Sequence, residues 1–177
     1  MELVYAFWNT YGVPGISVAF AAFMLTFGVK LLYKLATNLI TDEDYRHLAN
    51  LGIPFIPVGL GIGLWYAYGW LFGCITAYYE MLVAGILCGV VAILMYLAFG
   101  KRVEDAIKKY VKNKKVKEAL TTTDAEVEGM EEVVAAAKKN KDPAKGVKKL
   151  FAEKAKQVEA AIPDEAKELY DKYIKGK

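Results

Sequence analysis

Few side chains in the first hundred residues could do chemistry, and their spacing suits none of the common reactions. Cys74 and Cys88 lie 14 residues apart in apolar surroundings. That spacing gives neither a disulfide framework nor a metal site, and both read as small packing residues. His47 is the single histidine, which argues against a His-rich metal centre and against haem held by intramembrane imidazoles. No nucleophile is paired with a base and no two carboxylates are paired, so neither an enzyme nor a cofactor is expected.

Glu80 is the only charged side chain between His47 and Lys101. A charge inside an apolar run is a functional candidate by default. Its position at the edge of the run favours a solvated lip carboxylate or a charge at a helix N-terminus; an ion-attracting residue at a pore mouth is the sharper alternative. A proton relay would need a second acid beside it.

Glycines supply another spacing that could matter. Gly59 with Gly63, Gly69 with Gly73, and Gly85 with Gly89 are each four residues apart. Inside a membrane helix this spacing lets two backbones approach closely. Ala84, Cys88 and Ala92 extend the small flank near the last pair. The packing could lie within one protomer or between protomers. Gly59-Leu-Gly61-Ile-Gly63 is not a dinucleotide loop, because the spacing differs and no strand precedes it.

The elements carrying these residues follow from charge distribution. Residues 1–100 hold three basic and five acidic side chains, while residues 101–177 hold the remaining 20 and 15. Leu3 to Val29, Leu48 to Tyr79 and Met81 to Gly100 are uncharged over 27, 32 and 20 residues. About 20 apolar residues cross the hydrocarbon core as a helix. The expectation is an all-α integral membrane protein with three transmembrane helices, at about 14–33, 54–72 and 80–99.

Leu3, Val4, Phe7, Trp8 and Tyr11 share one helical face, and Gly12 and Pro14 interrupt it. Residues 1–12 are read as an interfacial N-terminal helix, with one long tilted helix as the alternative. The N-terminus lacks the basic region of a signal peptide. Residues 13–100 form the three-span domain. Pro54 and Pro57 mark the start of the second span, because only the first four N–H groups of a helix lack internal partners. Thr41-Asp42-Glu43-Asp44 predicts a short helix over about 42–50.

Orientation follows from Lys and Arg. Lys30, Lys34 and Arg46 follow the first span, with Lys30 and Lys34 able to snorkel to the headgroup layer. Lys101, Arg102, Lys108, Lys109, Lys112, Lys114 and Lys115 follow the third. The N-terminal segment and the turn near 70–78 have no such residue. The N-terminus is expected outside and the C-terminus in the cytoplasm, with these cations facing anionic lipid. No nucleic acid is expected, since no base-stacking pattern accompanies the charge.

Residues 101–177 read as a charged, amphipathic helical cytoplasmic tail. Thr123 and Glu126 form a capping box, Asp142-Pro143 opens another helix, and Pro163-Asp164-Glu165 a last one. With so few large apolar side chains this tail makes a marginal core. It is expected to meet a partner, self-associate or remain loosely folded.

Over residues 1–120 this topology, three spans followed by a basic cytoplasmic segment, resembles the three-span phage holins. The resemblance implies accumulation in the bacterial inner membrane, homo-oligomerisation and lesion formation. By role, the small-residue flanks would pack the spans and residues 101–117 would form a regulatory tail. The present tail is longer and more helical than such proteins need. The alternatives are an accessory subunit of a larger membrane complex, its tail docking a soluble partner, and a channel subunit.

Overall fold

A computed structural model describes residues 2–37, 50–73, 78–140 and 142–161. Among the described residues the chain is all-α, apart from one 3-10 turn. Helix α1 runs Glu2–Thr37, with a kink at Gly12 (φ 56°, ψ −146°). The positive φ suits glycine, and Pro14 falls in the first turn after the break. The chain is therefore divided where Gly12 and Pro14 interrupt the apolar stripe.

The first segment is not a free surface helix, however. Phe7 is 2% exposed and packs with Val18, Ala19, Cys88 and Val91, while Tyr5 and Trp8 face outward. The stripe expected at an interface is split, and its central phenylalanine anchors the segment to the bundle.

At the second apolar run, Ile53–Phe55 make the 3-10 turn and α2 follows as Ile56–Phe72. Pro54 lies in the turn and Pro57 in the first helical turn, so neither removes an internal helical hydrogen bond. Gly73 closes α2 in the left-handed conformation (φ 65°), donating its N–H to the Gly69 carbonyl, the usual glycine stop. Helix α3 is unbroken over Tyr78–Tyr110, roughly 50 Å long at 1.5 Å per residue. It continues well past residue 99, where the span was expected to end.

Leu3–Thr37, Ile53–Phe72 and Tyr78–Tyr110 are long and apolar enough to cross a membrane, as expected of an integral membrane protein. Helices α2 and α3 pack antiparallel, nearly backbone to backbone. A Cβ placed on Gly89 would lie 2.4 Å from the Val58 Cα, and one on Gly85 would lie 2.6 Å from the Ile62 Cα. A Cβ on Gly61 would lie 2.4 Å from the Gly89 nitrogen.

The charged C-terminal region forms α4 (Lys114–Leu120), α5 (Asp124–Lys139) and α6 (Pro143–Ala161). The Asn113 side chain accepts from the Lys115 N–H at 2.9 Å to start α4. Thr123 accepts from the Glu126 N–H to start α5. Asp142 accepts from Ala144 and Lys145 to start α6. The glycine at 146 lets α6 cross α5 closely, since a Cβ there would lie 2.1 Å from the Ala136 carbonyl oxygen.

These helices do not form a separate tail. Met130, Val133, Val134 and Ala137 of α5, with Ala144 and Val147 of α6, belong to one core with Phe23, Phe27, Val58 and Ile93. Phe151 meets Phe55 edge-to-face at 5.3 Å, and Gly129 lies against the Pro54 ring. The physical reason is the marginal core noted above: the spans supply the apolar surface that two thin amphipathic helices lack. The helix expected over 42–50, save for Asn50, and the one expected after Pro163 lie outside the described residues.

Candidate functional site

The densest polar arrangement among the described residues is buried where α1, α3 and α5 meet. Its centre is Lys30, 1% exposed. Its ammonium lies 2.9 Å from Glu126 Oε2 and 3.5 Å from Glu104 Oε1. It also donates to Thr122 Oγ1 at 2.6 Å and to the Tyr96 hydroxyl at 3.0 Å. Four groups thus take up a cation that has almost no water.

The anions are held as thoroughly. Glu104, 3% exposed, accepts from the Tyr96 hydroxyl at 2.6 Å, from the Thr122 N–H at 3.2 Å and from the Thr122 hydroxyl. Lys108 lies 3.8 Å from its other oxygen. Glu126 pairs with Lys34 as well as with Lys30, and Lys34 donates to the Thr121 carbonyl at 2.8 Å. Lys30, Lys34, Glu104 and Glu126 sum to zero charge. Burial is tolerable only when each charge is paired and hydrogen-bonded; every charge here is paired, but Glu126 Oε2 meets the Lys30 ammonium as an ion pair without a hydrogen bond.

Local sequence explains the geometry. Tyr96, Gly100 and Glu104 fall at successive four-residue steps on one face of α3. A Cβ at Gly100 would lie 2.9 Å from the Tyr96 ring, so the glycine leaves that ring room beneath the glutamate. Thr121 to Thr123 link α4 to α5 and present both hydroxyl and backbone groups to the cluster. A cavity of about 720 Å³ opens beside it, lined by residues including Lys34, Asn50, Pro54, Glu126 and Glu132.

A second polar contact lies at the opposite end of α3. The Tyr79 hydroxyl donates to Asp142 Oδ2 at 2.9 Å, and the Lys148 ammonium lies 5.5 Å from the centre of the Tyr79 ring. Partial burial pushes the Asp142 carboxyl up, but the Tyr79 hydroxyl and the N–H groups of Lys145 and Ala144 outweigh it. Asp142 is held below the usual aspartate value.

The residues expected to matter are distributed differently from their sequence grouping. Lys30 does not snorkel to a surface; it is the buried centre of the cluster, because Glu104, Glu126, Tyr96 and Thr122 surround it. Lys34 is half-buried beside it. Lys101, Arg102, Lys109, Lys112, Lys114 and Lys115 are exposed, and Lys108 is half-buried beside Glu104. Glu80 is exposed in the first turn of α3.

Gly85, Gly89 and Ala92 are buried in the bundle. Gly59 and Gly63 are not: both are exposed, and nothing lies within 4 Å of a Cβ added to either. The α2 glycine that meets α3 is Gly61, which the four-residue spacing skips. Pro54 not only opens the second apolar helix but also meets Gly129 of α5. Glu126 does not complete a reciprocal capping box; Thr123 caps its N–H, while its carboxylate goes to the lysines.

Glu104, Tyr96 and Thr122 escaped the sequence reading, and Glu126 was read only as the capping-box partner of Thr123. Glu104 sits among cations in KRVEDAIKK, which reads as a solvated basic segment. The available signal was the line Tyr96, Gly100, Glu104, which carries polar groups along the face that Cys88 and Ala92 begin. This site can hold charge and clamp three helices together. No protein-family model, curated protein or solved structure matches the chain.

Proposed function

We propose that this is a small membrane protein that assembles in the bilayer and permeabilises it, in the manner of three-span holins. The observation carrying this reading is the division of labour among the glycines of α2. Gly61 faces α3 within the protomer, whereas Gly59 and Gly63 face outward with open space before them. In lipid, where apolar burial no longer drives helices together, a small outward flank favours close association with another helix. A second copy of the chain supplies that helix, and successive copies build the lesion.

In the inserted form the N-terminus lies outside and the C-terminus inside a bacterial inner membrane. The concentration of Lys and Arg in the C-terminal parts of the first and third apolar helices and in the segments that follow them supports that orientation. The exposed cations at the start of this basic segment, Lys101 and Arg102, then meet anionic headgroups.

The test is induction of the full chain in a bacterium with continuous recording of membrane potential and culture density. This reading expects an abrupt loss of potential once enough protein has accumulated. Stable potential during continued accumulation in the membrane would refute it.

A further inference from the structure

Helices α5 and α6 lie along the apolar bundle rather than beyond its end. Near its start, α5 carries Glu126, which pairs with Lys30 beside Tyr96 and Glu104. Past its end, Asp142 meets Tyr79, in the first turn of α3. From Tyr79 to Tyr96, α3 rises roughly 25 Å, and α5 from Glu126 to its end at Lys139 covers roughly 20 Å at helical rise. The hairpin therefore runs beside most of the length that α3 would use to cross the hydrocarbon core.

Its two faces have opposite demands. The inner face buries Met130, Val133, Val134 and Val147. The outer face exposes charges along its length, among them Glu131, Lys138, Lys145, Lys149 and Glu153. If α3 crosses a bilayer with the hairpin docked, those charges lie at hydrocarbon depth, where ionised side chains are rare and costly. Water satisfies them easily when the bundle is outside lipid, and the inner face meanwhile shields part of the apolar surface of the spans.

We propose that α5–α6 is a detachable cover, docked before insertion and released from the spans when they enter the bilayer. The buried charges fit this role. Lys30 and Lys34 on α1 hold Glu126 at the base of the cover, and Tyr79 holds Asp142 at its tip. Once released, α5 and α6 carry apolar stripes opposite charged faces, the pattern of helices that lie along a membrane surface. The cover controls when the chain inserts, one step before any lesion forms. This inference rests on α1–α3 being membrane spans and does not require that they permeabilise.

The test locks the cover. The full chain carrying Tyr79→Cys and Asp142→Cys, with Cys74→Ser and Cys88→Ala, is translated cell-free without lipid. It is then treated with a bis-maleimide containing a reducible disulfide. Vesicles of phosphatidylcholine and phosphatidylglycerol are added, and insertion is read by resistance to alkaline extraction. Locked chains are expected to insert at least tenfold less than the same chains after reduction of the linker. Because both arms use one protein, a folding defect from the substitutions affects them equally. Equal insertion of locked and reduced chains would overturn the cover while leaving the spans intact. Failure of both to insert, with the parent chain failing alongside them, would overturn the cover and the membrane reading together.

Discussion

Lys30 of α1 and Glu126 of α5 form an ion pair of 2.9 Å with both side chains almost fully buried. The first belongs to an apolar helix and the second to the charged C-terminal region. Their contact makes the two halves of the chain one folded unit. Removing one partner from such a pair leaves the other charge buried without compensation.

Lys30→Met should therefore destabilise the docked form, but by less than the about 3–5 kcal/mol of a fully stranded buried charge, because Lys34 still pairs with Glu126. The double substitution Lys30→Met, Glu126→Gln should be less damaging than the single one, because a neutral amide replaces a buried anion that has lost one of its two cations. Denaturant unfolding of these two proteins and of Glu126→Gln alone, against the parent, closes a double-mutant cycle that measures the coupling.

The glycines divide into two experimental classes. Gly89→Val forces a side chain toward the Val58 backbone, 2.4 Å from the position its Cβ would occupy. Since backbone cannot swing aside, a loss of at least about 1–3 kcal/mol is expected. Gly63→Leu meets open space and should leave the protomer's unfolding transition unchanged. It should instead weaken association between protomers, as read by cross-linking or fluorescence transfer in vesicles.

Gly146→Ala tests the hairpin by itself. The added methyl would lie 2.1 Å from the Ala136 carbonyl oxygen, so α5 and α6 must move apart. Amide hydrogen exchange should quicken along α5 and α6, while α2 and α3 keep their protection.

The tip contact should weaken in acid. The Asp142 carboxyl is held below its ordinary value by the Tyr79 hydroxyl and two backbone N–H groups. Its contribution is therefore fully present above the ordinary aspartate value, about 3.9. It is lost as pH falls through the lower folded value. Exchange at the Ala144 and Lys145 amides should report that loss in the parent, and Asp142→Asn should abolish the pH dependence.

Much of the architecture was legible from charge and periodicity. Three long uncharged runs gave the three apolar helices, and the prolines at 54 and 57 marked the second helix start to within two residues. The threonine at 123 and the Asp142-Pro143 pair gave two later starts, because capping is a local interaction. What stayed hidden was long-range. A lysine at the end of an apolar helix has the same local sequence whether it snorkels or is buried. Only the approach of Glu104 and Glu126 from distant helices decides between them. Gly61 was missed for a related reason: the antiparallel crossing of α2 and α3, rather than a spacing along α2, selects the glycine at the contact.

The proposed lesion requires that these spans assemble and breach a bilayer. Its most direct measurement is release of a trapped dye from anionic vesicles as the density of the full chain in them is raised. The predicted result is little release at low density and a steep rise beyond a threshold, with the threshold shifted upward by Gly63→Leu. Vesicles that stay sealed at every density, despite confirmed insertion of the protein, would contradict it.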